Sequence, residues 1–438
     1  MKTLFDGGKA FKHIEKLAVD IGARPGGSPE DKRAAEYIKG YFEGLGLDVS
    51  LQEFEIETGY CTNQSLEITA PYKASISCSG LSMIGKTEPE GIEGELIHIE
   101  TTDEEYLTPE ITGKIVITNR LQRKNLDLVK KLKPLGFIFI EAYPRVLPKH
   151  FWGNYPQNKD YGNYPSMRIS FEDGLKLLKK GASKARIVVE AERGKKKTQT
   201  IIAELKGSTH PDEIVLVGGH YDTVPNVRGA SDNAGGTSIA MELARVFKEK
   251  GSKRTLRFIA WGSEEMGLDG SNLYAKKLKE EDKKAKEADK DKDAKTELDM
   301  VKLSVNLDVH GAMIGTNVAS ILGPPMLTHS IKLLSKEQGT VFDVKESVYS
   351  SDGTPLSAIG VPSASFSRKS GIDIMMHSVE DVIEYLSPDA LALHGEFVET
   401  WMTRYVSEAA AFPFEKEIPE KLMKEIKDYY KAWKSPLP

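Results

Sequence analysis

The stretch EIVLVGGHYDTV, Glu213–Val224, decides how this chain reads. Its unbroken apolar run, Ile214–Val217, has the texture of a strand buried on both faces. Two glycines close the run, and His220 and Asp222 follow. Two residues apart in extended chain, they point the same way. An imidazole is a natural ligand for zinc, and a nearby carboxylate can accept its second ring N–H and fix the tautomer. A lone His-x-Asp reads equally well as a structural pair in a turn, so the rest of the chain must decide.

The pattern recurs outward from that stretch. TLRFIAW is a second strand-like run, ending before the acid pair Glu264–Glu265 in WGSEE. LSVNL is a third, ending at Asp308, and VPSASFS a fourth, leading through a loop to His377 in MMHSVED. Asp232 sits in GASDNAGGTS, ahead of a helix expected from about Ala234 with Ile239, Leu243, Val246 and Phe247 on one face. Asp232 alone reads as an ordinary helix N-cap. Open α/β sheets bind ligands outside the carboxyl ends of their strands, so four strands aim these groups at one edge. Five carboxylates gathered there repel one another strongly unless divalent cations neutralise them. Adjacent side chains diverge, so of Glu264 and Glu265 one can bind metal while the other accepts a proton. His310 suits a packing role, and His13, His98, His150, His210, His329 and His394 have no acids arranged around them.

Alternating strands and helices predict an α/β fold with a mixed, mostly parallel sheet covered by helices on both faces. With 438 residues, two domains are expected. A helix should start at Ser28 as N-cap, with Pro29 first and Glu30 and Asp31 in the first turn. DVSLQEFEIE should form a strand after it. Residues 58–197 change texture to short β-like runs and aromatic loops. They read as an inserted β-rich domain between 1–57 and 198–438, with RGKKKTQT from Arg193 as a polar joint. The aromatic loop His150–Tyr164, with Phe151, Trp152, Tyr155 and Tyr161, is expected to pack on itself or line an entrance. Residues 279–299 are nearly all charged and read as a solvated helix extension.

Lys and Arg number 60 and Asp and Glu 65, a net charge of −5, so nucleic acid and anionic membrane are not expected partners. No apolar run approaches a membrane span. The start, MKTLFDGGKAFKHIEKLAVD, lacks an apolar signal core, so a cytoplasmic location is expected. Cys61 and Cys78 are too few for a disulfide framework, and any metal is expected to be held by oxygen and nitrogen.

Taken together in order, GGHYDTV, GASDNAGGTS, WGSEEMGLDGS, NLDVHG and HSVEDVIEYLSP resemble metallopeptidase family 28, the co-catalytic di-zinc exopeptidases. The segment 58–197 resembles the protease-associated domain that many members carry inserted. The resemblance implies two zinc ions (cobalt or manganese are alternatives) and a peptide substrate. It implies His220 and Asp308 on one ion, Glu265 and His377 on the other, Asp232 bridging, Asp222 supporting His220, and Glu264 as general base. It implies an aminopeptidase first. Alternatives are a carboxypeptidase or dipeptidase, a single-zinc glutaminyl cyclase, and a binding protein that keeps only the fold. Many members have a Tyr just before the last histidine as oxyanion donor, where this chain has Met376, preceded by Met375. Either zinc does more of that work or another donor, Tyr349 or Arg368, substitutes, and Arg368 or Lys369 is the cation that a carboxypeptidase would need. The turn Ser350–Pro355 is expected to wall the site.

Overall fold

The computed structural model describes residues 2–81, 85–120, 122, 125–141, 144, 164–288, 295–369, 376–433 and 435–438. Helix α1, Pro29–Gly44, begins as its sequence dictates: the Ser28 hydroxyl accepts from the Asp31 N–H and Pro29 fills the first position. Ala34, Ala35, Ile38 and Phe42 form its buried face. Gly46 ends the segment at φ +70°, where a side chain would be strained.

The chain then enters one long strand, β1, Asp48–Ala70, paired antiparallel with an equally long β2, Lys184–Leu205. The expected joint RGKKKTQT is therefore strand, not linker. Its lysines lie opposite the acids of QEFEIE: Glu55 is in register with Lys197 and Glu57 with Lys195. Lys195 Nζ lies 2.6 Å from Glu55 and Arg193 3.1 Å from Glu57. Cross-strand charge complementarity of this kind stabilises a ribbon, and it disguises a strand as a polar connector.

The strands that matter for the site follow: β3, His210–His220; β4, Arg254–Trp261; β5, Val301–Leu307; β6, Thr316–Leu322; β7, Phe342–Glu346; and β8, Ser363–Lys369. Their order across the sheet is β7-β6-β8-β5-β3-β4-β2. The pairs β3–β4, β3–β5, β5–β8 and β6–β7 are parallel, and β2–β4 and β6–β8 antiparallel. The mixed, largely parallel sheet is thus present. Beyond β2 the sheet continues through shorter strands of the segment before residue 170.

Helix α2, Gly236–Lys250, buries Ile239, Leu243, Val246 and Phe247, and is preceded by a tight turn over Ala230–Gly235. It packs against β3, β4 and β5. Helix α3, Asp269–Ala288, runs into the charged stretch as a largely exposed extension; residues 289–294 of that stretch lie outside the described residues. A short helix α4, Gly353–Ala358, a long buried α5, Pro388–Met402, and a final α6, Glu420–Ala432, complete the frame. One apolar core joins α1, α2, α5 and the inner strands, and a second is built only from residues between Cys61 and Val189. A small cluster of Ile56, Val224, Val227 and Met266 ties the ribbon to the loops beside the site. Among the described residues no helix is long and apolar enough to cross a membrane.

Candidate metal centre

The parallel register sets the site. His220 is the last residue of β3, in register with Trp261 at the end of β4. Glu264 and Glu265 leave β4 through Ser263, at φ +59°. Asp308 follows β5 directly, and the next residue, Val309, is held at φ +62°. His377 itself has φ +64°. Non-glycine residues in this conformation, a β-branched one above all, concentrate at functional sites because the surrounding structure must hold them there.

Asn233 provides that hold for Val309. Its Oδ1 accepts from the Val309 N–H at 3.2 Å and the Gly236 N–H at 3.0 Å, while its Nδ2 donates to the Leu307 carbonyl at 2.9 Å. Asn233, not Asp232, therefore serves the start of α2, and Asp232 is released for another use. The glycines follow from the same crowding: a Cβ on Gly219 or Gly236 would lie 2.2 or 2.1 Å from the Leu307 carbonyl oxygen.

The predicted residues converge. Asp232 divides its carboxylate: Oδ1 lies 3.2 Å from His220 Nε2 and Oδ2 3.1 Å from His377 Nε2. Asp308 Oδ1 is 3.4 Å from His220 Nε2, and Glu265 Oε2 is 3.3 Å from His377 Nε2. Glu264 stands further off, Oε2 3.9 Å from His220 Nε2. Two groups emerge whose ligand atoms lie within 4.8 Å of one another: His220, Glu264, Asp308, and Asp232, Glu265, His377. Asp222 sits behind them, Oδ1 3.5 Å from His220 Nδ1. Its two oxygens also accept the backbone N–H groups of Glu264, at 3.0 Å, and Glu265, at 3.2 Å. His220 Nδ1 meets the Asp222 backbone carbonyl at 3.2 Å, so Asp222 orients the imidazole through its carbonyl and both acids through its carboxylate.

The charges ask for a cation. Burial disfavours a charged His377, but Glu265 and Asp232 outweigh it and push the imidazole up to about 10. His220 is likewise driven well above its usual value, by Glu264, Asp222, Asp232 and Asp308 against burial. Burial and the neighbouring Glu265 and Asp308 charges raise Glu264 strongly. These shifts all mark a site whose carboxylates favour added positive charge. Glu265 Oε1 and Asp308 Oδ1 are buried and without a hydrogen-bond partner among the described residues. Two imidazoles with carboxylates and no thiol form a donor set that suits zinc, cobalt or manganese.

Several supporting groups were not legible as functional. Asp381, inside HSVEDV, accepts the N–H groups of Ser231 at 2.8 Å and Asp232 at 3.0 Å, fixing the turn that carries Asp232. Arg24 is fully buried and donates to the carbonyls of Leu17, Gly22, Tyr221, Arg228 and Gly229. It brings a positive charge near Asp222, Asp381, Asp232 and Asp31, while burial lowers it to about 10. Only its charge surrounded by glycines and acids hinted at this. His310 is spent on packing: Nε2 meets the Phe366 carbonyl at 2.8 Å, and burial lowers it to about 3.

The centre opens into a cavity of about 290 Å³, lined also by Tyr349, Ser350, Met376, Tyr429 and Trp433. Of the two expected substitute donors, Tyr349 is in place, but Arg368 is not. Its guanidinium donates to the Ala312 carbonyl at 2.6 Å, the Met313 carbonyl at 3.4 Å and Asn317 Oδ1 at 2.5 Å. Lys369 lies 5.8 Å from the Tyr349 ring centroid. Met375 and residues 150–163 of the expected aromatic loop fall outside the described residues.

A mixed α/β sheet whose strand ends gather two imidazole–carboxylate groups around one shared aspartate defines a metallopeptidase. Residues 200–402 match the profile of Peptidase family M28. It is 29% identical over 407 residues to Aminopeptidase YwaD of Bacillus subtilis, covering 89% of this chain and 82% of that protein. It is 28% identical over 285 residues to Carboxypeptidase Q of Bos taurus, covering 61% of this chain and 60% of the relative, so it spans about three fifths of that protein's length. Among solved structures, BSAP, a zinc aminopeptidase from Bacillus subtilis, matches with a TM-score of 0.76 at 25% identity, over 96% of this chain and all of that one.

Proposed function

We propose that the protein is an aminopeptidase that removes N-terminal residues from peptides at a pair of zinc ions. The observation that carries this is the divided Asp232 carboxylate, one oxygen toward each imidazole. On this reading His220 and Asp308 hold one ion, Glu265 and His377 the other, and Asp232 both. When bound, the ions supply Lewis-acid charge for the scissile carbonyl and make water more acidic. Glu264, at 3.9 Å further from His220 Nε2 than the Asp232 and Asp308 oxygens at 3.2 and 3.4 Å, is left to act as base. Its carboxylate takes the proton from the attacking water and returns it to the amine nitrogen as the C–N bond breaks. Asp222 is a positioning residue, since its bonds to Glu264 and Glu265 aim both side chains.

The polarity rests on charge. Among the described residues, neither Lys nor Arg lines the cavity, so a free α-carboxylate would find no Lys or Arg partner there. An α-ammonium group suits such a lining. The similarity to Carboxypeptidase Q favours the alternative of a carboxypeptidase or dipeptidase. The segment 58–197 is proposed to be a protease-associated-like insertion, a division supported by its own apolar core. A cytoplasmic enzyme of this kind would act on peptides already released from proteins. Incubating the zinc-loaded protein with leucine p-nitroanilide and with an N-acetylated dipeptide tests the polarity. Hydrolysis of the first alone is expected, and hydrolysis of the blocked compound alone would overturn it.

A further inference from the structure

The family match ends at residue 402, yet part of the cavity wall comes from beyond it. Helix α6 docks through Leu422, Ile426 and Tyr430, which bury against Leu322 at the end of β6. The Tyr430 hydroxyl donates to Asn272 Oδ1 at 2.8 Å, and the Tyr429 hydroxyl meets Ser350 Oγ at 2.7 Å. Those bonds tie α6 to α3 on one side and to the turn before α4 on the other. Tyr429 and Trp433 stand four residues apart, hence on one face of the helix and its end. Their ring centroids are 6.2 Å apart, and both line the cavity with Leu268, Tyr349 and Met376.

The cavity is therefore ionic where the metal ligands stand, and over the rest of its wall mostly aromatic and apolar, with Asn272, Ser350 and Ser435 as polar exceptions. At about 290 Å³ it falls at the low end of the roughly 300–1,000 Å³ of small-molecule sites, room for one residue and its scissile bond. The leaving peptide must reach solvent, so the enclosed apolar wall is left for the side chain of the terminal residue. We propose that α6, with Trp433 after it, selects the substrate: it forms the pocket for its N-terminal side chain and favours a bulky apolar, above all aromatic, residue there. This deepens the aminopeptidase proposal and rests on it. Flat rings on Tyr349, Tyr429 and Trp433 offer an aromatic side chain large contact area at little conformational cost, whereas alanine would leave much of the pocket unfilled.

Removing α6 whole would expose its apolar face, so point variants at the half-buried mouth are the better probe. Tyr429→Ala, Trp433→Ala and Tyr429→Phe are compared with wild type on phenylalanine and alanine p-nitroanilides. Each variant is first checked for a folded circular dichroism spectrum. The ratio of kcat/KM for Phe over Ala should fall about tenfold in either alanine variant and return in Tyr429→Phe, which keeps the ring. A ratio within twofold of wild type in both alanine variants, or an equal loss on both substrates, overturns the proposal. Calorimetric binding of phenylalanine and alanine hydroxamates to the zinc-loaded protein reads the same preference without turnover. If wild type hydrolyses neither anilide, the aminopeptidase proposal falls, while the Kd ratio of the two hydroxamates still decides whether this wall selects.

Discussion

Replacing Asp222 by Asn should disturb the centre without touching a proposed metal ligand. The Asp222 carboxylate is fully buried and accepts two backbone N–H groups, those of Glu264 and Glu265. An amide offers one acceptor oxygen and turns an N–H₂ toward the other donor, so one bond is lost and one buried N–H is orphaned. A charged acceptor's bond contributes about 1.5–3 kcal/mol and an orphaned buried group costs about 1–3 kcal/mol, so a loss of roughly 3 kcal/mol is expected. With an unfolding entropy of about 2.1 cal/mol/K per residue, the 438-residue chain loses about 1 °C of Tm per kcal/mol. The Tm of the metal-free protein should therefore drop by only about 3 °C. Metal affinity should fall much more visibly, by about 10- to 100-fold, as when other groups that orient metal ligands are removed. Scanning calorimetry and competition with a zinc chelator measure the two effects. A variant with wild-type zinc affinity would refute the idea that the Asp222 carboxylate aligns the Glu264–Glu265 pair.

Glu264→Gln should retain its metal by elemental analysis and lose at least about 100-fold in kcat; kcat within tenfold of wild type would reassign the base. Arg24→Ala leaves three buried and two part-buried carbonyls without their donor and removes a positive charge from among four acids. It should destabilise by about 3–5 kcal/mol, the scale of a broken buried ionic network, seen as reduced soluble yield and a lowered urea midpoint. His13 is buried against Tyr37, its Nδ1 2.6 Å from the hydroxyl, and burial lowers it from 6.5 to about 4. Below pH 6.5 the unfolded chain binds this proton and the folded one does not. Stability should therefore decline as pH falls from 6.5 toward 4, by at most about 3 kcal/mol at roughly 1.4 kcal/mol per unit. His13→Gln should flatten that slope in urea titrations at pH 7 and pH 4.5, and an unchanged slope would place the acid sensitivity elsewhere.

Legibility followed periodicity. The runs before His220 and Glu264 were readable because strands buried on both faces favour Val, Ile, Leu and Phe; LSVNL and VPSASFS, with Ser and Asn among their apolar residues, were readable mainly from the ligand-type residues that follow them. β6 and β7 were missed: FDVKE is an edge strand with its polar residues exposed, while TNVASIL is largely buried but broken by Thr316, Asn317 and Ser320. The middle of β2, RGKKKTQT from Arg193, was mistaken for a joint because its lysines answer acids over a hundred residues earlier, a partner that local composition does not reveal. Asp381 looked like one more acid in a charged turn. Its use, holding the backbone of Ser231 and Asp232, exists only once residues 150 positions apart meet.

What the residues determined alone is the inventory: which strands are buried, and that acids and histidines follow them at the same end. That much is local chemistry, since an apolar run must be covered and a carboxylate after it must find a partner. The pairing of oxygens with imidazoles, the release of Asp232 from capping by Asn233, and the aromatic wall brought in by α6 were decided by tertiary contact. They depend on ångström distances between distant segments, set by packing around two shared carbonyls and one buried guanidinium, which no spacing along the chain encodes.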